Sequence, residues 1–198
     1  MKLYYQSIGV PRRFESGLHE LRELLNIPVL GLMESSLHLA CLMGASCSVV
    51  NVNPKFARRV TENIASTGLA SRMVSIDRME VEGGRAVDRA FEDEAVCAGV
   101  VRQFSESARV GIAKGAETVI PAGGIVMTAL AHAGVHAADG VPILKGLIAL
   151  LKTAEMAVKI RQLTWGFINK RMMYAQRTGK LLADIRAVYG EHVYPGAV

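Results

Sequence analysis

The segment GAETVIPAGGIVM, Gly115 to Met127, places two glycines directly after an apolar run. Val119 and Ile120 indicate a buried strand, and Gly123 and Gly124 indicate a tight turn at its end. Backbone N–H groups at such a turn can approach a ligand closely, because glycine has no side chain to block the approach. The turn itself holds no Ser, Cys, His or acid. Its predicted chemistry is therefore binding through backbone amides.

Polar residues also stand at the predicted ends of three other strands. Their amides and hydroxyls, one carboxylate and the helix N-termini that follow suit a small carboxylate or imide, because N–H donors and the helix dipole both favour negative charge. A structural role is open for the same residues: N-capping by Ser35 or Ser36, turn closure by the asparagines, or a dipole interaction of Glu34. The candidate binding residues are Gln6, Ser7, Glu34, Ser35, Asn51, Asn53, Gly123 and Gly124.

Few side chains near these strand ends can exchange protons. His38, one turn into a predicted helix, is the candidate acid or base, with a packed helix histidine as the alternative interpretation. Cys41 and Cys47 occupy positions typical of core residues, and Cys97 lies in an acidic stretch. The group His132, His136 and Asp139 lacks a convincing metal-ligand spacing, so no metal is predicted.

Strands and helices alternate along the chain. Strands are predicted at KLYYQSI, IPVLGL, CSVVNVN, RMVSID and the run before Gly123, with VPILKG leading into a long final helix. Ser16 is the predicted N-cap of the first helix, Pro54 opens a later one, and Gly44 and Gly68 end two of them. The strands are continuously apolar rather than alternating. This pattern predicts an α/β fold, a parallel sheet with helices on both faces, in which ligands bind beyond the carboxyl ends of the strands.

Composition favours an ordinary globular chain. The 198 residues are 51% hydrophobic and 6% aromatic, and the three cysteines show no CxxC spacing, which favours a reducing, cytoplasmic compartment over a disulfide framework. The most apolar segment, VPILKGLIALLKTAEMAV, is interrupted by Lys145, Lys152 and Glu155. It therefore predicts an amphipathic helix and no membrane span.

The basic excess, +5 in net charge, is concentrated near the end of the chain. A solvated helix face, or a surface that meets another subunit, explains this run better than nucleic-acid binding, because no nucleic-acid motif accompanies the charge. Against one acid, Asp184, the run contains Lys159, Arg161, Lys170, Arg171, Arg177, Lys180 and Arg186.

Four segments in this order resemble the aspartate/glutamate/hydantoin racemase superfamily. They are GLHELRELLNIPVLGLMESSLHLACLMG, CSVVNVNPKFARRVTENIASTGLASR, GAETVIPAGGIVM and DGVPILKGLIALLKTAEMAVKI, which together cover most of Ser16 to Arg161. The resemblance implies two pseudo-symmetric Rossmann-like domains and catalysis without a cofactor. It also implies two cysteines on opposite faces of the substrate α-carbon, one removing a proton and the other returning one.

The sequence departs from this family at both thiol positions. Gly123 stands where the resemblance places the second cysteine, and the strand-loop expected to carry the first, just before Ser16, is not recognisable. The first domain is therefore expected to be truncated. The predicted domains are 1–46 for a partial first α/β domain, 47–138 for the second, 139–165 for the returning strand and helix, and 166–198 for a basic tail.

Two functions follow from these expectations. The first is a cofactor-independent racemase that acts on an amino acid, a hydantoin or a related small carboxylate. The alternative is a non-catalytic binder of small carboxylates, or a truncated relative that folds by association. Exposed sheet edges in a shortened domain favour a homo-oligomer, since pairing with a partner covers them.

Overall fold

The computed structural model describes residues 8–10, 15, 17–52, 54–80, 87–164 and 166–194. One-turn 3₁₀ helices lie at Ala70–Arg72, Asp88–Phe91 and Met172–Tyr174. The strands and α-helices, in chain order, are β1 (Ile8–Val10), α1 (Leu18–Leu24), β2 (Val29–Gly31), α2 (Leu32–Met43), β3 (Cys47–Asn51), α3 (Pro54–Ser66), β4 (Met73–Arg78), α4 (Glu94–Ala113), β5 (Thr118–Ala122), α5 (Gly124–His132), β6 (Ala137–Ala138), β7 (Val141–Pro142), α6 (Gly146–Thr164) and α7 (Gly179–Tyr189).

The described chain divides into two compact units. The first unit contains residues 8–10, 15–31 and 151–194, and the second contains residues 32–150. One boundary falls between β2 and α2, and the other falls within α6. The domain boundaries inferred from the sequence stay a prediction, because compactness alone does not identify a duplicated domain.

The second unit is built on a parallel sheet in the order β4-β3-β5. Val49 of β3 pairs with Ile76 on one side and Ile120 on the other, and Ile143 forms a parallel bridge beside Val119. Every residue of β3 and β5 is buried. The continuously apolar runs in the sequence are explained by this burial on both faces.

Helices cover both faces of this sheet, which confirms the predicted fold class. On one face, Val50 and Val119 pack in a cluster with residues of α4 and α5, including Phe104. On the other face, Val49 and Ile120 pack with residues of α2, α3 and the start of α6. Neighbouring strand residues belong to opposite clusters because successive side chains of a strand point to opposite faces.

Gly111 of α4 lets this helix lie directly on the sheet. A methyl group at Gly111 would lie 2.4 Å from Ser48 Oγ and 2.5 Å from Ser48 Cβ. We expect Gly111→Ala to lower the free energy of unfolding by about 1–3 kcal/mol through overpacking. Gly99→Ala on the same helix meets nothing within 4 Å and should raise it by up to about 1 kcal/mol through helix propensity. Urea unfolding measures both, and equal stabilities would show that α4 does not require this close approach.

The first unit joins the parallel pair β1-β2 to α1 and the C-terminal segment. Val10 pairs with Gly31, and the core of this unit contains Leu18 and Val29, with Ile168 packed against them. Of the predicted strand at Lys2–Ile8, only Ile8 belongs to the described residues, and it lies in β1 (Ile8–Val10). The strand continues beyond the predicted end, because Ile8 through Val10 pair with Val29 through Gly31.

Part of the basic C-terminal run bonds to backbone carbonyls, while Lys159, Arg171, Arg177 and Lys180 are exposed. Lys170 Nζ donates hydrogen bonds to the carbonyl oxygens of Arg22, Glu23 and Leu25, at 2.5, 3.0 and 2.5 Å respectively. These carbonyls at the end of α1 have no partner within the helix, and the ammonium supplies one. Arg186 similarly donates to backbone carbonyls of residues 193 and 194. Part of the basic excess thus stabilises the fold, and the interpretation of the exposed part stays a prediction.

Two predicted helix caps are wrong. The N-cap of α1 is Gly17, at φ 82°, rather than Ser16, because a left-handed turn precedes the helix and glycine adopts it readily. Helix α2 begins at Leu32, so Ser35 and Ser36 lie inside its first turns and cannot be its N-cap. Ser36 Oγ instead donates to the Leu32 carbonyl at 2.6 Å. Gly68, at φ 73°, follows α3 as predicted.

Candidate functional site

A small cavity lies where β5 ends in the second unit. Its volume is about 20 Å³, enough for one water molecule. The wall comes from the end of β5 and from the first two turns of three helices. It contains Ile120 and Ala122 of β5, Leu32, Met33 and Ser36 of α2, Phe56 and Val60 of α3, and Gly123 and Met127 at the start of α5.

The N-terminal turns of α2, α3 and α5 thus border a single space. The N-terminus of each helix carries a partial positive charge and N–H groups without helical partners. Such ends bind carboxylates and other anionic oxygens. The start of α6 belongs to the same neighbourhood, because a Cβ at Gly146 would lie 2.6 Å from Ser36 Oγ.

The N-terminus of α5 has no side-chain cap among the described residues. Gly123 is its N-cap, with extended backbone at φ 163° and ψ 124°, and no described side chain caps the helix. The Gly123 carbonyl accepts the N–H of Met127 at 3.0 Å. The N–H groups of residues 124–126 have no helical acceptor. They point out of the helix end, where a ligand oxygen can accept hydrogen bonds from them.

The predicted residues of α2 lie on different sides of that helix. Ser35 is buried but is not among the cavity residues, whereas its neighbour Ser36 is. Glu34 is half-buried, and His38 is exposed with Nδ1 2.8 Å from the Glu34 carbonyl oxygen. Ser36 was missed because the sequence analysis considered it only as an N-cap, whereas it lies inside α2, where Ser35 and Ser36 point about 100° apart.

Asn51 lies at the carboxyl end of β3 and is buried. Its Nδ2 donates to the Asp77 carbonyl at 3.2 Å, and its own carbonyl accepts the N–H of Met79 at 3.0 Å. Asn51 therefore helps to join β3 to the end of β4, and its contact with a ligand stays a prediction. Gln6, Ser7 and Asn53 lie outside the described residues.

None of the three cysteines lines the cavity. Cys47 is at the amino end of β3, and burial, with a smaller contribution from nearby Cys41, raises the pKa of its thiol to about 11. A thiol with that pKa is almost entirely protonated at neutral pH and is a poor base or nucleophile. Cys41 lies late in α2 and Cys97 in the first turn of α4, both half-buried.

The predicted weak metal group near α5 is divided between different contacts, since His136 and Asp139 each pair with another residue. His136 Nδ1 is 3.0 Å from Lys145 Nζ, and Asp139 forms an ion pair with Arg109 at 2.9 Å. The hydrogen bond from Arg109 holds the pKa of the Asp139 carboxyl below its ordinary value. Within the described ranges, no group of three or more His, Cys, Asp or Glu side chains is arranged to hold a metal ion.

None of the helices formed by the described residues is both long and apolar enough to cross a bilayer. The long helix α6 carries Lys152 and Glu155, joined by an ion pair at 2.9 Å.

Curated relatives are similar to this chain in sequence, and solved structures are similar to it in fold. The hydantoin racemase of Pseudomonas sp. (strain NS671) is 31% identical over 150 residues, covering 76% of this chain and 57% of that protein. The hydantoin racemase of Paenarthrobacter aurescens is 26% identical over 148 residues, covering 74% of this chain and 58% of that protein. This chain thus spans less than two thirds of the length of either relative.

The solved structures are allantoin racemases and show the same fold. The one from Pseudomonas fluorescens has a TM-score of 0.72 at 24% identity, over 88% of this chain and 69% of that chain. The one from Klebsiella pneumoniae has a TM-score of 0.68 at 19% identity, over 88% and 66%. The Asp/Glu/Hydantoin racemase family model matches residues 14–154. The resemblance read from the four sequence segments is confirmed, and the chain belongs to the Asp/Glu/hydantoin racemase family.

Proposed function

We propose that this protein is an isomerase of the racemase class that acts on a hydantoin-type ring or a related α-substituted carboxylate. The observation that carries the proposal is the open N-terminus of α5, at the carboxyl end of β5, in a chain of this family. The hydantoin and allantoin racemases similar to this chain support the ring as substrate class.

The proposed chemistry is removal and return of the proton on the carbon next to a carbonyl group. When that proton leaves, negative charge develops on the carbonyl oxygen. Fixed N–H donors that meet this oxygen stabilise the enolate-like transition state more than the ground state. The N–H groups after Gly123 are suited to this role, and the proposal requires no cofactor.

A substrate must enlarge the cavity, since its volume is only about 20 Å³. Met33, Met127 and Phe56 form part of its wall. Methionine side chains change rotamer readily and can adapt to an irregular ligand. We therefore expect these side chains to move when the ring enters.

A second candidate, binding without turnover, is favoured by one specific observation. Gly123 occupies the position at which the family resemblance places a thiol, and no cysteine lines the cavity. Such a protein would keep the amide donors and lack both of the expected thiol proton carriers.

The test is exchange of the α-proton in deuterium oxide, followed by nuclear magnetic resonance. The ligands are 5-substituted hydantoins, allantoin, aspartate and glutamate, and thermal stabilisation is measured in parallel. Exchange with one ring class, together with loss of optical activity, is the expected result. Stabilisation without exchange would support the binder instead, and neither effect with any ligand would refute both functions.

Association into a homo-oligomer also belongs to this proposal. The C-terminal segment of the first unit presents several exposed apolar side chains, which a partner subunit would cover. They are Met172, Met173, Leu181, Val188 and Tyr189.

A further inference from the structure

Ser36 is the polar side chain in the wall of the cavity of the second unit. The residue is only 1% exposed, and it borders the cavity together with apolar side chains and with Gly123, the N-cap of α5. Among the described residues of that wall, no other side chain carries an oxygen or nitrogen atom. A hydrogen bond between a side chain of this wall and a ligand therefore involves Ser36.

The hydroxyl of Ser36 already uses its hydrogen atom. Oγ donates to the carbonyl of Leu32, one turn earlier in α2, at 2.6 Å. A serine hydroxyl has a single hydrogen to donate and lone pairs that accept. No described residue donates a hydrogen bond to this oxygen. Ser36 therefore offers a ligand an acceptor rather than a donor.

The cavity thus presents donors and an acceptor from different helices. The N–H groups at the start of α5 donate, and Ser36 of α2 accepts. Gly146, the first residue of α6, lies beside the hydroxyl, since a Cβ there would be 2.6 Å from Ser36 Oγ. Glycine at this position leaves that side of the oxygen uncovered by a side chain. The ligand that satisfies both helices carries a carbonyl oxygen and an N–H group close together.

A hydantoin-type ring has this pair of groups around its reacting carbon. That carbon is bonded to a carbonyl group on one side and to a ring N–H on the other. When the carbonyl oxygen accepts the N–H groups of α5, the ring N–H still needs an acceptor. A buried N–H without an acceptor raises the free energy of the complex. Ser36 Oγ can supply that acceptor.

The same wall disfavours the ammonium group of an amino acid. An amino acid also has nitrogen on its α-carbon, but this nitrogen is positively charged at neutral pH. No described residue of the wall carries a carboxylate that could pair with it, and burial of an unpaired charge is costly. A neutral ring N–H needs only a lone pair of Ser36.

We propose that Ser36 is a specificity-determining residue, whose Oγ accepts a hydrogen bond from the ring N–H beside the reacting carbon of the substrate. This inference rests on the proposed function and names what the site selects, a neutral N–H group on the α-carbon. The alternative is a structural role, in which the hydroxyl only bonds to Leu32 within α2. A structural role would affect all substrates equally, whereas an acceptor affects only those that carry the N–H.

The test compares two rings that differ only beside the reacting carbon. 5-Methylhydantoin has an N–H group there, and 2-methylsuccinimide has a CH₂ group of similar size. The α-proton exchange of each ring in deuterium oxide is divided by the exchange of the same ring in buffer alone. We expect the wild-type protein to favour the hydantoin by about 5- to 100-fold, the effect of one buried hydrogen bond whose partner is otherwise left unpaired.

Ser36→Ala removes the acceptor and nearly preserves the volume of the side chain. Its matched control is Ser105→Ala in α4, because Ser105 Oγ also donates to a carbonyl one turn earlier, that of Val101 at 2.8 Å, but does not border the cavity. We expect Ser36→Ala to lose the preference for the hydantoin and Ser105→Ala to keep it. Circular dichroism verifies that both variants are folded. If the rings bind without exchange, thermal stabilisation by each ring replaces the rates, with the same expected preference.

Two results would overturn this inference and leave the proposed function standing. One is a wild-type protein that accepts both rings equally well, and this result does not depend on any variant. The other is a preference for the hydantoin that persists in Ser36→Ala, including equal slowing of both rings, which would assign the hydroxyl a structural role. Exchange of aspartate or glutamate with neither ring accepted would also refute it alone. If the wild-type protein neither exchanges nor binds any ligand, the proposed function fails, and this inference fails with it.

Discussion

Replacing Gly124 with proline should lower the rate of α-proton exchange by about 10²–10³, the effect of removing one donor to a developing oxyanion. Gly124 is the first residue of α5, a position where proline is favoured and where it removes an N–H group that has no helical partner. The extended backbone of Gly123 is also what proline requires of the residue before it. The substitution should therefore delete one donor while leaving the helix in place.

Gly124→Ala is the matched control for this variant. A Cβ at Gly124 meets nothing within 4 Å, and alanine retains the N–H group. We expect its exchange rate and its stabilisation by ligand to match those of the wild-type protein. Exchange that is as fast in Gly124→Pro as in Gly124→Ala would show that the N–H of residue 124 does not contact the reacting group.

Gly123→Cys should raise the rate of α-proton exchange by about 10²–10⁴, the range for a positioned general base. The backbone at Gly123 is extended, at φ 163°, which any residue can adopt, and position 123 is where the family resemblance places a thiol. A thiol at a helix N-terminus has a lowered pKa. The gain should therefore grow as pH rises toward that pKa and level off above it.

Gly123→Ser separates the base from the added volume. Its hydroxyl has nearly the same size but is not ionised at neutral pH, so we expect no gain. Measuring exchange and optical rotation together adds a further distinction, because a single base on one face exchanges the proton with retention. Identical rates for the cysteine and serine variants would show that position 123 does not face the α-carbon.

The sequence and the structure agree best where burial alone decides the pattern. The runs at CSVVN and TVIPA are mostly apolar and buried at both faces, and they form β3 and β5, the central strand and one of its neighbours. The proline at position 54 and the glycine at 68 delimit α3, because each restricts or permits backbone angles locally. Such signals need no knowledge of the rest of the chain.

The helix starts were less predictable. Ser35 and Ser36 have the chemistry of N-caps, yet α2 begins at Leu32 directly after β2. The length of the connection between β2 and α2 is determined by how this strand and this helix pack. A serine that lies inside the helix, such as Ser36, then donates to a carbonyl one turn earlier. Because α2 begins at Leu32, Ser36 lies within the helix and lines the cavity, and His38 lies on the exposed side of α2.

The sequence by itself determined the α/β class, the family and the glycine turn at residues 123–124, since these depend on hydrophobic period, segment order and local backbone freedom. Only the tertiary structure decided that the first turns of α2, α3 and α5 border one cavity. It alone showed that Lys170 binds the end of α1, and that Glu15 packs on Gly31. Each of these contacts joins residues that are distant along the chain, and their partners are chosen by packing rather than by any local pattern.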